Sequence, residues 1–144
     1  MGVPAQYGAR GTVPQMEVLS SRVLIRPSDF AAGMAWYRDV LGLRVSREYG
    51  TGGRISGVVF FLGGGFLELV SGSSPVAGTG AALWLQVPDV DAEAARLVEA
   101  GVTVLSGPVD EPWGLRECWV ADPDGVRIAL IEVPETHPLR RRID

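Results

Sequence analysis

The sequence predicts an α+β fold made of two tandem β-α-β-β-β units, and three observations carry that prediction. One pattern occurs twice, about sixty residues apart; each copy contains one stretch with helical spacing; and each closes on two strand-like runs joined by a tight turn. The first copy begins RVLIRPSDFAAGMAWYRDVLGLRV and the second ALWLQVPDVDAEAARLVEAGVTV. Both open on a short strand rich in β-branched residues and leucine, then pass a turn that ends in Asp29 or Asp89.

The helices follow from apolar spacing. Phe30, Met34, Tyr37 and Leu41 recur at intervals of 4, 3 and 4, and Val90, Ala94, Leu97 and Gly101 repeat those intervals, which places one buried face on each helix. Ser28 or Asp29 can cap the first helix and Asp89 or Asp91 the second, while Gly42 and Gly101 suit the left-handed residue just past each end. After each helix the pattern turns to strands. ISGVVFFL and FLELV flank Gly63-Gly64-Gly65, and LRECWVA and RIALIEV flank Asp122-Pro123-Asp124-Gly125, so both connections read as hairpin turns. The glycine trio lies between two strands, with no helix after it and no nearby lysine, so a turn is preferred over a phosphate cradle.

The expected organisation is an N-terminal extension over residues 1–19, unit one over 20–71, a SGSSPVAGTG-type linker over 72–80, unit two over 81–134 and a basic tail over 135–144. A length of 144 residues suffices for one domain with its own core. The formal charge of −4 removes the electrostatic basis for binding nucleic acid, and the Arg140-Arg141-Arg142 cluster reads as a solvated tail. The single cysteine, Cys118, has no partner for an internal disulfide and reads as a buried core thiol. No apolar run approaches the roughly 20 residues of a membrane helix. The opening MGVPAQYGARGTVPQMEVL lacks the pattern of a signal peptide, so a cytoplasmic location is expected.

The duplicated unit, the segment EPWGLRECWVADPDG and the paired strands ending in LELV and IALIE together resemble the glyoxalase/bleomycin-resistance/dioxygenase group, the vicinal oxygen chelate superfamily. The resemblance covers about Ser20 to Pro134. It implies curved mixed sheets around a shared cavity, helices on the outer face, and sites often completed by a homodimer. It also implies four metal-ligand positions: the start of the first strand of each unit and a carboxylate in the last strand of each. Here those positions are Arg22, Ala82, Glu68 and Ala129, of which only Glu68 is a plausible ligand. The distance from the DPDG turn and the parity of the strand both favour Ala129 over Glu132 as the residue facing the cavity. His137, the one histidine, lies beyond the last strand and reads as a solvated tail residue. A guanidinium repels a cation, so the expectation is a metal-free site in which Arg22 pairs with Glu68 or, alternatively, points to solvent. No cofactor is expected.

Strand alternation then assigns the lining. Arg26 follows Arg22, Phe66 precedes Glu68, Trp84 and Gln86 follow Ala82, and Arg127 precedes Ala129. Before the DPDG turn, Trp119 and Glu117 face inward while Cys118 and Val120 face the helices; Trp113 sits in a loop at the mouth. Trp36, on a helix, reads as core or interface. A lining of two indoles and a phenyl ring with a few polar groups suits a bulky or flat organic molecule. The leading expectation is therefore a binding protein of bleomycin-resistance type for an aromatic or antibiotic-like small molecule, dimeric, without nucleic-acid or membrane partners. Two alternatives stand beside it: a lyase, isomerase or dioxygenase-type enzyme with Glu68 as base or metal ligand, and a dimerising or partner-binding module without a ligand pocket, in which Trp84 and Trp119 are close-packed against each other or against Phe66.

Overall fold

The computed structural model describes residues 15, 17–72 and 81–138. Most of the expected leader, all but the first residue of the linker, and the Arg140–Arg142 cluster lie outside the described residues. The first unit comprises β1 (Arg22–Ile25), α1 (Phe30–Ala35), β2 (Val45–Thr51), β3 (Arg54–Leu62) and β4 (Gly65–Val70). The second comprises β5 (Ala82–Gln86), α2 (Val90–Glu99), β6 (Val104–Asp110), β7 (Arg116–Ala121) and β8 (Arg127–Glu132). Each unit forms a four-stranded mixed sheet, in the orders β1-β4-β3-β2 and β5-β8-β7-β6, with its first strand parallel to its last. The two β-α-β-β-β units are those expected from the repeat.

The helix ends separate the alternatives the sequence left open. Asp29 caps α1 by accepting from the Ala32 N–H at 3.0 Å, and Asp89 caps α2 by accepting from Ala92 at 3.0 Å. Ser28 and Asp91 have other partners. Ser28 donates to the Asp124 carboxylate from its backbone N–H (3.1 Å) and its hydroxyl (2.5 Å), and Asp91 receives the Arg116 guanidinium at 2.8 Å. Beyond Ala35 the first helix widens into a π-helical turn, Trp36–Val40, whose exit at Gly42 has φ of 87°. Arg96 of α2 donates to the Val40 and Leu41 carbonyls, each at 2.9 Å, and so closes the end of the first unit's helix from the second unit. Gly101, expected on the buried face of α2, is exposed and serves as its left-handed terminator.

One continuous core joins the units. It takes Ile25, Val58, Phe60, Leu67 and Leu69 from the first sheet and Leu83, Cys118, Val120, Ile128 and Leu130 from the second, with Tyr37, Leu41, Val90, Ala94 and Leu97 from the helices. Successive strand residues face opposite ways, so filling this side with apolar residues leaves Phe66, Glu68, Trp119 and Ala129 on the other face of their sheets. A buried hydrogen bond from the Tyr37 hydroxyl to Asp122 at 2.8 Å adds a polar tie between the units. Among the described residues, no helix is long and apolar enough to cross a membrane.

Candidate ligand-binding faces

On the first sheet the register sets Arg22 beside Phe66 and Leu24 beside Glu68 on the parallel β1–β4 pair. The Arg22 guanidinium reaches Glu68 Oε1 at 2.5 Å and stands 5.9 Å from the centre of the Phe66 ring. The second oxygen, Glu68 Oε2, accepts from the Tyr49 hydroxyl. Tyr49 reaches it by lying across Gly57, its cross-strand partner, where a Cβ would sit 2.0 Å from the ring. The Tyr49 hydroxyl and, next, the Arg22 guanidinium hold the Glu68 carboxyl below its usual range, and the same bond pushes the Tyr49 phenol up. Of the two placements open to Arg22, the pair with Glu68 is the one adopted.

These contacts decide whether the positions that bear metal ligands in related enzymes fit a metal here. Both Glu68 oxygens already accept charge-compensating donors, Arg22 brings a positive charge, and Ala82 and Ala129 offer no donor atom. The set does not fit a divalent cation. The register expectation also holds. Ala129 is fully buried on the inward face, with Trp84 and Trp119 as its neighbours on the two adjacent strands. Glu132, of opposite parity, turns to the helix side and accepts from the Val90 N–H at 3.0 Å. It is thus a helix-terminus acceptor and not merely a surface carboxylate. Its neighbours Asp89 and Asp91 are committed as cap and ion-pair partner, so this acidic group is a structural one.

On the second sheet Glu117 is only 7 % exposed and accepts from two indoles, Trp113 Nε1 at 2.6 Å and Trp119 Nε1 at 3.2 Å. Leu115, Ala129, Ile131 and Val133 form a small apolar cluster beneath Trp119, and the Arg127 guanidinium lies 5.0 Å from the Trp119 ring. Trp84 is half exposed, and among the described residues no other ring packs against it, so the two inward indoles are not stacked on one another. Gln86 lies two positions along the same strand, opposite Ile131. The Arg26 side chain lies against Gly72, where a Cβ would sit 2.7 Å from Nε. His137 departs from its expected solvated state. It is half-buried against Gly114, with Nε2 3.4 Å from the Trp113 carbonyl oxygen, because the chain after β8 folds back along the Glu111–Leu115 loop.

The structure therefore gathers six of the nine expected ligand-binding residues into two groups: Arg22, Phe66 and Glu68 on the first sheet, and Trp119 and Arg127 on the second with Trp113 from its β6–β7 loop. Missing from the sequence expectation was Tyr49; Glu117 was expected to face inward, but its double indole contact was not. A separate cleft of about 370 Å3 opens on the helix side, between Trp36 and Val40 of the first unit and the Ala100–Leu105 and Ala121–Pro123 segments of the second. It includes none of the expected site residues. Trp36 also meets the Tyr37 ring edge-on at 5.0 Å, in keeping with a packing role.

The repeated units, the mixed sheets and the inward faces define a glyoxalase-like fold. The family model for the Glyoxalase/Bleomycin resistance protein/Dioxygenase superfamily matches residues 20–130, and the chain belongs to that superfamily. Among solved structures, it is similar to TioX from Micromonospora, at 25 % identity and a TM-score of 0.68, over 80 % of this chain and 98 % of that one. It is also similar to TnmS3, an antibiotic binding protein from Streptomyces, at 27 % identity and a TM-score of 0.66, over 84 % and 100 %. Uncharacterized protein Mb0911c of Mycobacterium bovis is 37 % identical over 76 residues. The chain spans about half the length of that curated relative.

Proposed function

We propose that this chain is a metal-free binding protein of bleomycin-resistance type that sequesters an aromatic, antibiotic-like small molecule. The observation that carries the reading is the state of the inward faces: the one carboxylate at a metal-ligand position is closed by Arg22 and Tyr49, and the other such position in a last strand is an alanine among tryptophans. Such faces offer burial and stacking to flat rings, with a few polar groups to orient them. Similarity to the antibiotic binding protein TnmS3 supports the same reading. Catalysis by Glu68 as a general base is disfavoured by the same contacts, since both of its oxygens already accept hydrogen bonds and a carboxyl held low is a weaker base.

A homodimer in the cytoplasm belongs to this proposal. Val23, Ile55, Leu105 and Val109, none of them assigned to the ligand-binding faces, leave 42–48 % of their surface open in the single chain, a cost that a second copy would remove. Titration of the intrinsic tryptophan fluorescence with planar aromatic natural products is expected to show saturable quenching, and elemental analysis after dialysis against Ni, Zn, Fe and Mn is expected to show no stoichiometric metal. Turnover of a substrate with a silent binding panel, or one metal per chain, would refute the reading. Light scattering after size exclusion reads the mass of the assembly.

A further inference from the structure

The inward face of the first sheet carries a longer band than the Glu68 cluster alone. At one end the Arg44 guanidinium stands 6.0 Å from the Phe61 ring centre; the Phe61 and Phe66 rings come after it, 5.8 Å apart and tilted by 40°. Arg22 and Glu68 come next, and beyond them Arg47 stands 5.2 Å from the Tyr49 ring. Cations and rings alternate along one surface.

The charges on that surface do not balance. Arg22 is matched by Glu68, whereas Arg44 and Arg47 have no carboxylate in ion-pair range among the described residues. Three guanidinium groups against one carboxylate leave two positive charges, on a chain whose formal net charge is −4. Each guanidinium stands within cation–π range of its ring, and a guanidinium carries five N–H donors that can fork onto two oxygens. A ligand that joins an aromatic ring system to a carboxylate or phenolate matches both parts of this band, the ring against Phe61 and Phe66 and the anion at Arg44 or Arg47. A cationic ligand of the same size would meet like charge.

We propose that this face selects aromatic anions, with Arg44 and Arg47 as the residues that fix the anionic group. The proposal rests on the small-molecule reading above and narrows it to one ligand class. The test compares 9,10-anthraquinone-2-carboxylate with its neutral carboxamide by calorimetric titration of the full chain, at low and high salt. The acid is expected to bind about tenfold more tightly than the amide, the scale of one charge-assisted hydrogen bond, and to lose that advantage as salt rises. Arg44→Gln or Arg47→Gln, each checked for an unchanged circular dichroism spectrum, is expected to cut acid affinity by about five- to tenfold while leaving the amide within about twofold. If acid and amide bind equally, selection of anions is wrong and the aromatic-binding reading stands. If the acid is preferred but neither substitution matters, the assignment to this band is wrong. Should neither compound nor any neutral or cationic aromatic bind, the binding reading fails and takes this proposal with it.

Discussion

Replacing Tyr37 by Phe removes one oxygen from the interior and tests the polar tie between the two units. The hydroxyl donates to Asp122 Oδ2 at 2.8 Å, with Tyr37 1 % and Asp122 8 % exposed. The other carboxylate oxygen, Oδ1, is held by the Asp124 and Val126 N–H groups at 2.9 and 2.8 Å, so it cannot swing to make up the loss without abandoning the DPDG turn. A Phe ring keeps the edge-on contact with Trp36 and the tilted contact with Phe60. The substitution therefore deletes one buried hydrogen bond to a charged acceptor, about 1.5–3 kcal/mol. For a chain of this size that corresponds to a fall in Tm of about 5–10 °C. Urea unfolding followed by both circular dichroism and tryptophan fluorescence measures the change. Burial and the neighbouring Asp122 push the Tyr37 phenol well above its ordinary value, which fixes the sign of the pH dependence. A folded-state value above the unfolded one means that the contribution is complete below about pH 10, the unfolded value, and declines as pH rises past it. A Tyr37→Phe protein within about 0.5 kcal/mol of the parent at neutral pH would refute the argument, because an ordinary surface change has that size.

Two more titratable groups give measurable outcomes. Glu68 is held low by Tyr49 and Arg22, so its share of stability is complete above about pH 4.3, the unfolded value, and is lost as pH falls through the lower folded value; carboxyl carbon NMR should show its midpoint rising in Tyr49→Phe and in Arg22→Gln, and an unmoved midpoint in both would sink the assignment. Burial pushes the Cys118 thiol up, so the native protein is expected to resist a thiol-specific disulfide reagent at neutral pH and to react fully in urea; rapid labelling without denaturant would contradict its place in the core.

Much of the architecture was legible because it rests on periodic signals. The 4-3-4 spacing of Phe30 to Leu41, the Asp29 and Asp89 caps and the DPDG turn are local, and each fixes the register of the element after it. Parity counted from that turn placed Trp119 and Ala129 inward and Cys118 and Val120 in the core, as found. Counting of that kind fails in β2, where the ladder to β3 shifts between Val45 and Arg47 and again between Tyr49 and Gly50. Each shift changes which face a residue takes, so neither Arg47 nor Tyr49 could be assigned by alternation. The Glu117 contacts were hidden for another reason. They depend on where the Glu111–Leu115 loop carries Trp113, which no period reports. His137 is similar, since its position is set by a fold-back beyond the last strand.

The single core shared by both units constrains how this chain can be divided. Both sheets and both helices contribute to one apolar cluster, and the end of the first unit's helix is closed by Arg96 from the second. A chain cut in the connecting segment is therefore expected to yield two pieces that each bare part of the shared interior, the first also with an open helix end. The doubled sequence pattern is in this sense not a pair of spare modules but two halves that share one interior.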